Sequence, residues 1–232
     1  QSNFSIRNFN DPDVTFDFKG ESDAAAIQNF YPIENIKELS GVVNANISFA
    51  GKISLLKSKA TAQQVQTIGN VDLHDVSFST QNKIHFSNIN GSLQFNKNDI
   101  AMSNLRGNLE KSDFLLNGFL KNVITYLLFE SQPIGIEADL KSDFLDLDQL
   151  VAIGLGPEST DFGFSISPLL HLNFNCDVKR MKYKRLDTRN VKGDLLVQNQ
   201  VAVSRHLSLR AMGGSLEVNG IVDAKNAKAI DV

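Results

Sequence analysis

Leu170-His171-Leu172-Asn173-Phe174-Asn175-Cys176-Asp177-Val178-Lys179 alternates apolar and polar side chains without a break. Successive side chains of an extended strand point to opposite faces, so this period of two gathers Leu170, Leu172, Phe174, Cys176 and Val178 on one face. His171, Asn173, Asn175, Asp177 and Lys179 occupy the other. The same pattern sets Val43, Ala45, Ile47 and Phe49 against Asn44, Asn46 and Ser48, and Leu216, Val218, Gly220 and Val222 against Ser215, Glu217, Asn219 and Asp223. Ile221 breaks the last alternation.

Between the strand candidates lie Asn90-Gly91, Asn96-Lys97-Asn98, Asn117-Gly118, Gln198-Asn199-Gln200 and Gly213-Gly214. These residue types tolerate the positive φ of tight hairpin turns, so an antiparallel meander is expected. One face of such a sheet can stay in water. A doubly wound nucleotide-binding fold, with its parallel strands buried on both sides, would show continuous apolar runs instead.

Three short amphipathic helices are expected to interrupt the strands. Ser22 or Asp23 caps one that runs through Tyr31 and stops at Pro32, and Asp146 caps another over Leu147 to Ile153 that Gly154 closes. The third covers Leu120 to Phe129, where Leu120, Val123, Ile124, Leu127 and Leu128 recur at helical spacing.

Composition narrows the function classes. The 232 residues fit one elongated or two compact domains. Lys and Arg total 23 against 26 for Asp and Glu, a net charge of −3 that disfavours a phosphate-neutralising surface over the whole chain and hence nucleic acid as a partner. With 42% hydrophobic and 21% charged residues the chain has a globular balance, not the signature of disorder. Cys176 is the single cysteine, which excludes an internal disulfide framework. The longest apolar stretches, Val123 to Phe129 and Leu150 to Leu155, fall short of the roughly 18 residues that span a bilayer as a helix. The start at Gln1-Ser2-Asn3, without an initiator Met or leader, is read as that of a fragment whose targeting or anchoring segment lies elsewhere.

An internal repeat is suggested by spacing. Asn88, Gly91 and Leu93 recur as Asn190, Gly193 and Leu195, and Asn117-Gly118 recurs as Asn219-Gly220, each 102 positions on. Ile100 and Met102 match Val201 and Val203 at 101, implying one residue lost in the intervening loop. Upstream, Val71, Leu73, Val76 and Phe78 correspond to Cys176, Val178, Met181 and Tyr183 at 105, and Phe16 to Lys19 to Ala138 to Lys141 at 122. Two tandem β-rich units are expected, residues 1–135 and residues 136–232, continuous with one another.

No catalytic constellation emerges. His74, His85, His171 and His206 are dispersed, without the one-turn spacing of a zinc helix. Asp146-Leu147-Asp148 and Asp11-Pro12-Asp13 do not continue into a calcium loop. There is no nucleophile elbow and no phosphate-cradling glycine loop, and Gly154-Leu155-Gly156-Pro157 follows a helix, not a strand. Neither catalytic residues, metal nor cofactor are expected. Lys179 to Arg185 holds five basic residues in seven, which reads either as a contact for anionic headgroups or as a solvated strand edge whose lysines discourage aggregation.

Two stretches carry a family resemblance. Phe86-Ser87-Asn88-Ile89-Asn90-Gly91-Ser92-Leu93-Gln94-Phe95, then Ile100 to Gly107, Ser112 to Gly118 and the segment through Tyr126-Leu127 resemble the C-terminal region of AsmA-like proteins, which are similar to TamB. Tyr183 to Asp223, with Asn190-Val191-Lys192-Gly193 and Gly213 to Gly220, resembles the closing part of that region. The resemblance covers roughly residues 13 to 223 and lies in pattern and turn placement. It implies a curved β-groove in a periplasmic protein, anchored in the inner membrane by a segment outside this sequence, that moves phospholipid between inner and outer membranes or supports outer-membrane assembly. It offers no catalytic residue.

The expectation is thus a mainly β, curved antiparallel sheet with short helices, acting as a non-enzymatic lipid-handling segment. Its partners would be phospholipid acyl chains, a membrane reached through the external anchor and other envelope proteins. The apolar positions assigned to the groove or its packed continuation are Val43, Ile47, Phe49, Leu93, Phe95, Leu170, Leu172, Phe174, Leu195, Leu216 and Val218. The alternative is a structural or protein-interaction module whose apolar faces close on one another and hold no lipid. An outer-membrane barrel is disfavoured by zero Trp and three Tyr, too few for aromatic girdles.

Overall fold

A computed structural model describes residues 1–30, 36–57, 59–80, 83–128, 132–149 and 168–225. The protein is mainly β. Its twelve strands are β1 (Ser2–Arg7), β2 (Asp13–Asp23), β3 (Ile36–Lys52), β4 (Gln66–Thr80), β5 (His85–Asn96), β6 (Asp99–Leu109), β7 (Ser112–Lys121), β8 (Ile134–Asp146), β9 (Leu170–Tyr183), β10 (Leu186–Gln198), β11 (Val201–Ala211) and β12 (Gly214–Asp223). They form one sheet in sequence order, with β1 and β12 as its free edges, so the sheet is not a closed barrel. Every neighbouring pair is antiparallel except β8 and β9, which run parallel. The expected meander is corrected at that point. A parallel pair needs a crossover connection, and the residues between β8 and β9 supply the length for one.

The turn assignments divide in two. Asn96-Lys97-Asn98 joins β5 to β6, Gln198-Asn199-Gln200 joins β10 to β11 with φ of 52° and 63° at Asn199 and Gln200, and Met212-Gly213 turns β11 into β12. Asn90-Gly91 and Asn117-Gly118, expected as turns, lie inside β5 and β7. There the same residue types serve bulges.

A line of bulges crosses the sheet. Register shifts fall beside the positive-φ residues Asp75, Asn88, Asn104 and Asn190 of β4, β5, β6 and β10, and another falls between Ser204 and Leu207 of β11. An extra residue in one strand leaves a backbone N–H without a ladder partner, which costs free energy unless something else accepts it. Side chains from adjacent strands do so: Asp75 N–H donates to Asn90 Oδ1 at 3.1 Å, Asn88 N–H to Ser77 Oγ at 3.1 Å, Asn104 N–H to Asn117 Oδ1 at 2.8 Å and His206 N–H to Asp194 Oδ1 at 3.1 Å.

Glycines allow the backbones to close up near this line. Gly118 has φ of +148°, and a Cβ there would run into the carbonyl oxygen of Glu137 on β8. Gly69 stands in the same relation to the carbonyl of Asn46.

Helices lie at the strand ends. Asp23 caps α1 (Ala24–Phe30) by accepting from Ala25 N–H at 2.7 Å, and Gln28 ties α1 to β3 by donating to Ile36 O and accepting from Leu39 N–H. Leu120 and Lys121 remain in β7, paired with Ile136 and Gly135, so the third expected helix starts later. Asn122 takes φ of 61° and breaks the strand, and α3 (Val123–Leu128) follows. The helix expected from Asp146 begins at residues 147–149, and the rest of it lies outside the described residues. A 3-10 helix (Ile53–Lys57) and α2 (Lys59–Ala62) had no counterpart in the sequence reading. Leu56, Ala62 and Val65 are fully buried there against Phe49, Ile53, Leu55 and Ile124.

Beneath α3 sits a buried polar knot. Asn98 Nδ2 donates to Thr125 Oγ1 at 2.5 Å, and Asn98 Oδ1 accepts from Thr125 N–H at 3.0 Å. Both residues are wholly buried.

Two outcomes follow from this architecture. Gly118→Ala should lower stability by about 1–3 kcal/mol, because it adds a side chain at a left-handed position already in contact with the next strand; an unchanged thermal midpoint would contradict the close approach. Thr125→Val and Asn98→Ala should each cost about 1–3 kcal/mol by leaving a buried partner unsatisfied, and the double variant should cost less than their sum. Strict additivity in chemical denaturation would mean the two do not act as a pair.

Candidate functional site

Cross-strand register carries one apolar row from β2 to β12. Phe18 lies opposite Ile47, and the row continues through Gly69, Phe95, Ile100, Leu120, Ile136, Leu172, Val197 and Ala202 to Val222. A second row beside it runs Gly20, Ala45, Val71, Leu93, Met102, Gly118, Ala138, Phe174 and Leu195. At about 4.8 Å between strands, ten spacings give an apolar strip of roughly 50 Å along the contour of the sheet.

The opposite face is polar through most of its width. Its equivalent row reads Lys19, Asn46, Asn70, Gln94, Ala101, Phe119, Glu137 and Asn173, then turns apolar at Leu196, Val203 and Ile221. Ile221, the residue that interrupts the alternation of β12, therefore belongs to a small apolar patch on the outer face, where it is 58% exposed.

All eleven residues assigned from the sequence fall on the apolar face. Ile47, Phe95 and Leu172 sit in the first row, and Leu93, Phe174 and Leu195 in the second. Val43 lies opposite Leu73, Phe49 opposite Phe16, and Leu170 opposite Ile134. Leu216 and Val218 pair with Leu209 and Leu207 near the free edge. Sequence reasoning left out Phe16, Phe18, Leu120, Ile136 and Val197, which lie on the same apolar face. The alternation Ile134-Gly135-Ile136-Glu137-Ala138-Asp139-Leu140 held the signal for β8, and Val14-Thr15-Phe16-Asp17-Phe18-Lys19 held it for β2.

Packing on this face is shallow. Val178, Val191, Leu145 and Leu209 make a buried cluster with Leu140, Cys176, Met181, Leu207 and Ala211, all from the consecutive strands β8 to β11. Most assigned residues are only half-buried, and Leu195 and Leu216 are 37% and 52% exposed. Phe4 on β1 is 65% exposed at the opposite edge. The face presents mainly methyl, methylene and aromatic groups, which can contact a ligand by area and not by directed hydrogen bonds.

Titratable groups add little chemistry. His171 lies on the polar face opposite Gly135, and His206 is exposed 3.6 Å from Asp194. No cluster of metal-ligating side chains occurs among the described residues. No helix among the described residues is long and apolar enough to cross a membrane. Asp11 is held below the usual carboxylate range by a hydrogen bond from Ser54 and by Lys52, which also pairs with it at 3.3 Å. That pair is exposed at the β2–β3 end and only ties the chain there. Cys176 faces the apolar side, where burial pushes its thiol up.

Comparison with protein-family models, curated proteins and solved structures finds no match.

Cys176 should react with iodoacetamide at pH 8 markedly more slowly in the folded protein than after denaturation, since burial disfavours the attacking thiolate. Equal rates in the two states would remove Cys176 from the packed face.

Proposed function

We propose that this chain is a non-enzymatic lipid-handling segment, with the apolar face of its sheet serving as the floor of a trough for phospholipid acyl chains. The observation that carries the proposal is the uninterrupted apolar row across eleven strands, Phe18 to Val222, on a sheet whose other face is mainly polar. Bulges support curvature toward that row. Their extra residues, Asp75, Asn88, Asn104 and Asn190, are exposed and polar, so they lengthen the outer face relative to the apolar one and bend the strands around it.

Two tandem units remain the best reading of the spacing. Asn88 and Asn190 both take positive φ, and Gly91 and Gly193 both abut the next strand's backbone, at Leu105 and Leu207 respectively. The register amends the match further on. Ile100 and Met102 correspond to Ala202 and Ser204, not to Val201 and Val203, because Val203 lies on the outer face with Leu196 and Ile221. The spacing of 102 then holds without a lost residue.

Each methylene taken from water gains about 0.8 kcal/mol, so a sixteen-carbon chain gains on the order of 12 kcal/mol before ordering costs. That is enough to retain lipid against water. Equivalent apolar positions on successive strands offer nearly equal burial, so a chain can slide along the row without a chemical step. This agrees with the resemblance to AsmA-like proteins, and with it we place the segment in the periplasm, passing phospholipid between the two membranes of an envelope or supporting outer-membrane assembly, with its anchor elsewhere. A sealed module that carries no lipid is the competing reading.

Native mass spectrometry of detergent-free protein separates the two. Bound phospholipid is expected for the native sequence and for Asn173→Asp on the polar face, whereas Phe174→Asp should lose it while circular dichroism stays β-rich. A lipid-free native mass, or lipid retained equally by Phe174→Asp, would sink the carrier reading.

A further inference from the structure

Like charges stand directly opposite one another on the outer face of β9, β10 and β11. Arg180 pairs in register with Arg189, and Arg189 with Arg210, so three guanidinium groups lie in a row across three adjacent strands. Directly opposed like charges destabilise a sheet. Among the described residues only the first has an ion-pair partner: Arg180 forms a bidentate pair with Asp187, at 3.0 Å through Nε and 2.6 Å through Nη2.

Neighbouring acids are already committed. Lys179 takes Asp143 at 2.7 Å and Lys192 takes Asp177 at 3.1 Å. Arg189, Arg210, Lys182 and Arg185 have no carboxylate at ion-pair distance among the described residues. Register sets Lys182 directly opposite both Asp187 and Asp146, and Arg189 acts on Asp187 at longer range. The Asp187 carboxyl is held below the usual range first by the hydrogen bond from Arg180, with smaller contributions from the charges of Arg189 and Lys182.

The tip of the next hairpin adds an apolar group. β9 and β11 run in the same direction, so the Lys184-Arg185 and Met212-Gly213 turns lie on one rim of the sheet. Met212 takes φ of 51° and is 95% exposed, beside a depression of about 730 Å³ that Arg189, Arg210, Ser215 and the Arg180-paired Asp187 also line. A projecting thioether beside uncompensated cations fits the boundary between anionic headgroups and acyl chains. Inorganic phosphate would satisfy the guanidinium groups but gives Met212 no role.

We infer that the rim formed by the β9–β10 and β11–β12 hairpins docks on an anionic phospholipid surface, with Arg189, Arg210, Lys182 and Arg185 against headgroups and Met212 dipping below them. The site stands apart from the apolar face and does not require that face to hold lipid. Within the basic run Lys179 to Arg185, Lys179 and Arg180 are paired with Asp143 and Asp187, whereas Lys182 and Arg185 are exposed.

Co-sedimentation with vesicles tests it. The protein should pellet with phosphatidylcholine vesicles containing phosphatidylglycerol and stay in solution with phosphatidylcholine alone. Each cation removed should weaken binding roughly fivefold, so Arg189→Gln with Arg210→Gln should weaken it about 25-fold. Met212→Ser should also weaken it, and Lys97→Gln, on the opposite rim, should leave it unchanged. All these residues are exposed, and unchanged thermal midpoints would exclude unfolding as the cause. Equal binding to both vesicle types, equal loss in Lys97→Gln, or displacement by millimolar inorganic phosphate at constant ionic strength would overturn the inference, the last in favour of a free-phosphate site.

Discussion

Strand-pairing parity is the constraint on which the rest of this molecule depends. Because side chains alternate with a period of two, a one-residue slip between neighbouring strands would carry a strand's apolar set to the outer face. Here the rows keep their sides across the sheet although most strands contain an irregularity. Apolar positions step by three, not two, at Leu73–Val76, Phe86–Ile89, Met102–Leu105 and Val178–Met181. Since the irregularities follow one another on consecutive strands, each restores the parity that its neighbour would otherwise break. Asn, Asp and Ser side chains make this tolerable by accepting from the bulged N–H groups.

Such a sheet has an unusual energetic balance. A sandwich buries each inner face against another and draws stability from a thick core. The clusters among the described residues are instead small and local, one spread over consecutive strands and another held by short helices at the strand ends. Backbone ladders and side contacts between neighbours carry much of the remainder. The charge pairs on the outer face, such as Lys121–Glu137 and Lys192–Asp177, are well exposed, and pairs of that kind contribute little individually. An apolar face left half-buried is a cost that selection would remove unless something else covers it, and this is the physical reason for reading it as a surface for hydrocarbon.

The two faces and the rim divide the chemistry. The apolar rows are suited to sliding, since burial has no preferred direction and no step along them differs much from the next. The rim near Met212 is suited to holding, since fixed guanidinium groups attract a surface of opposite charge. Between these, the polar face carries asparagines such as Asn46, Asn70 and Asn173, which are polar without adding net charge.

The strands were legible in the sequence because alternation is local: Leu170 to Val178 declares its two faces within a single strand, and so do Val43 to Phe49 and Leu216 to Val222. The eleven assigned positions share one face for the same reason. Other features were not local. Asn90-Gly91 and Asn117-Gly118 look the same whether they turn a hairpin or fill a bulge, and only the strands on either side decide between the two. Leu120 satisfies a helical stripe equally well as a strand position, and its pairing with Ile100 and Ile136 settled it as strand. The parallel contact of β8 with β9 left no signature in either strand. Thus the sequence by itself determined which side chains share a face, through the geometry of an extended backbone. Tertiary structure alone decided how the faces join into one surface and where the cations of separate strands converge, because both depend on which strands become neighbours.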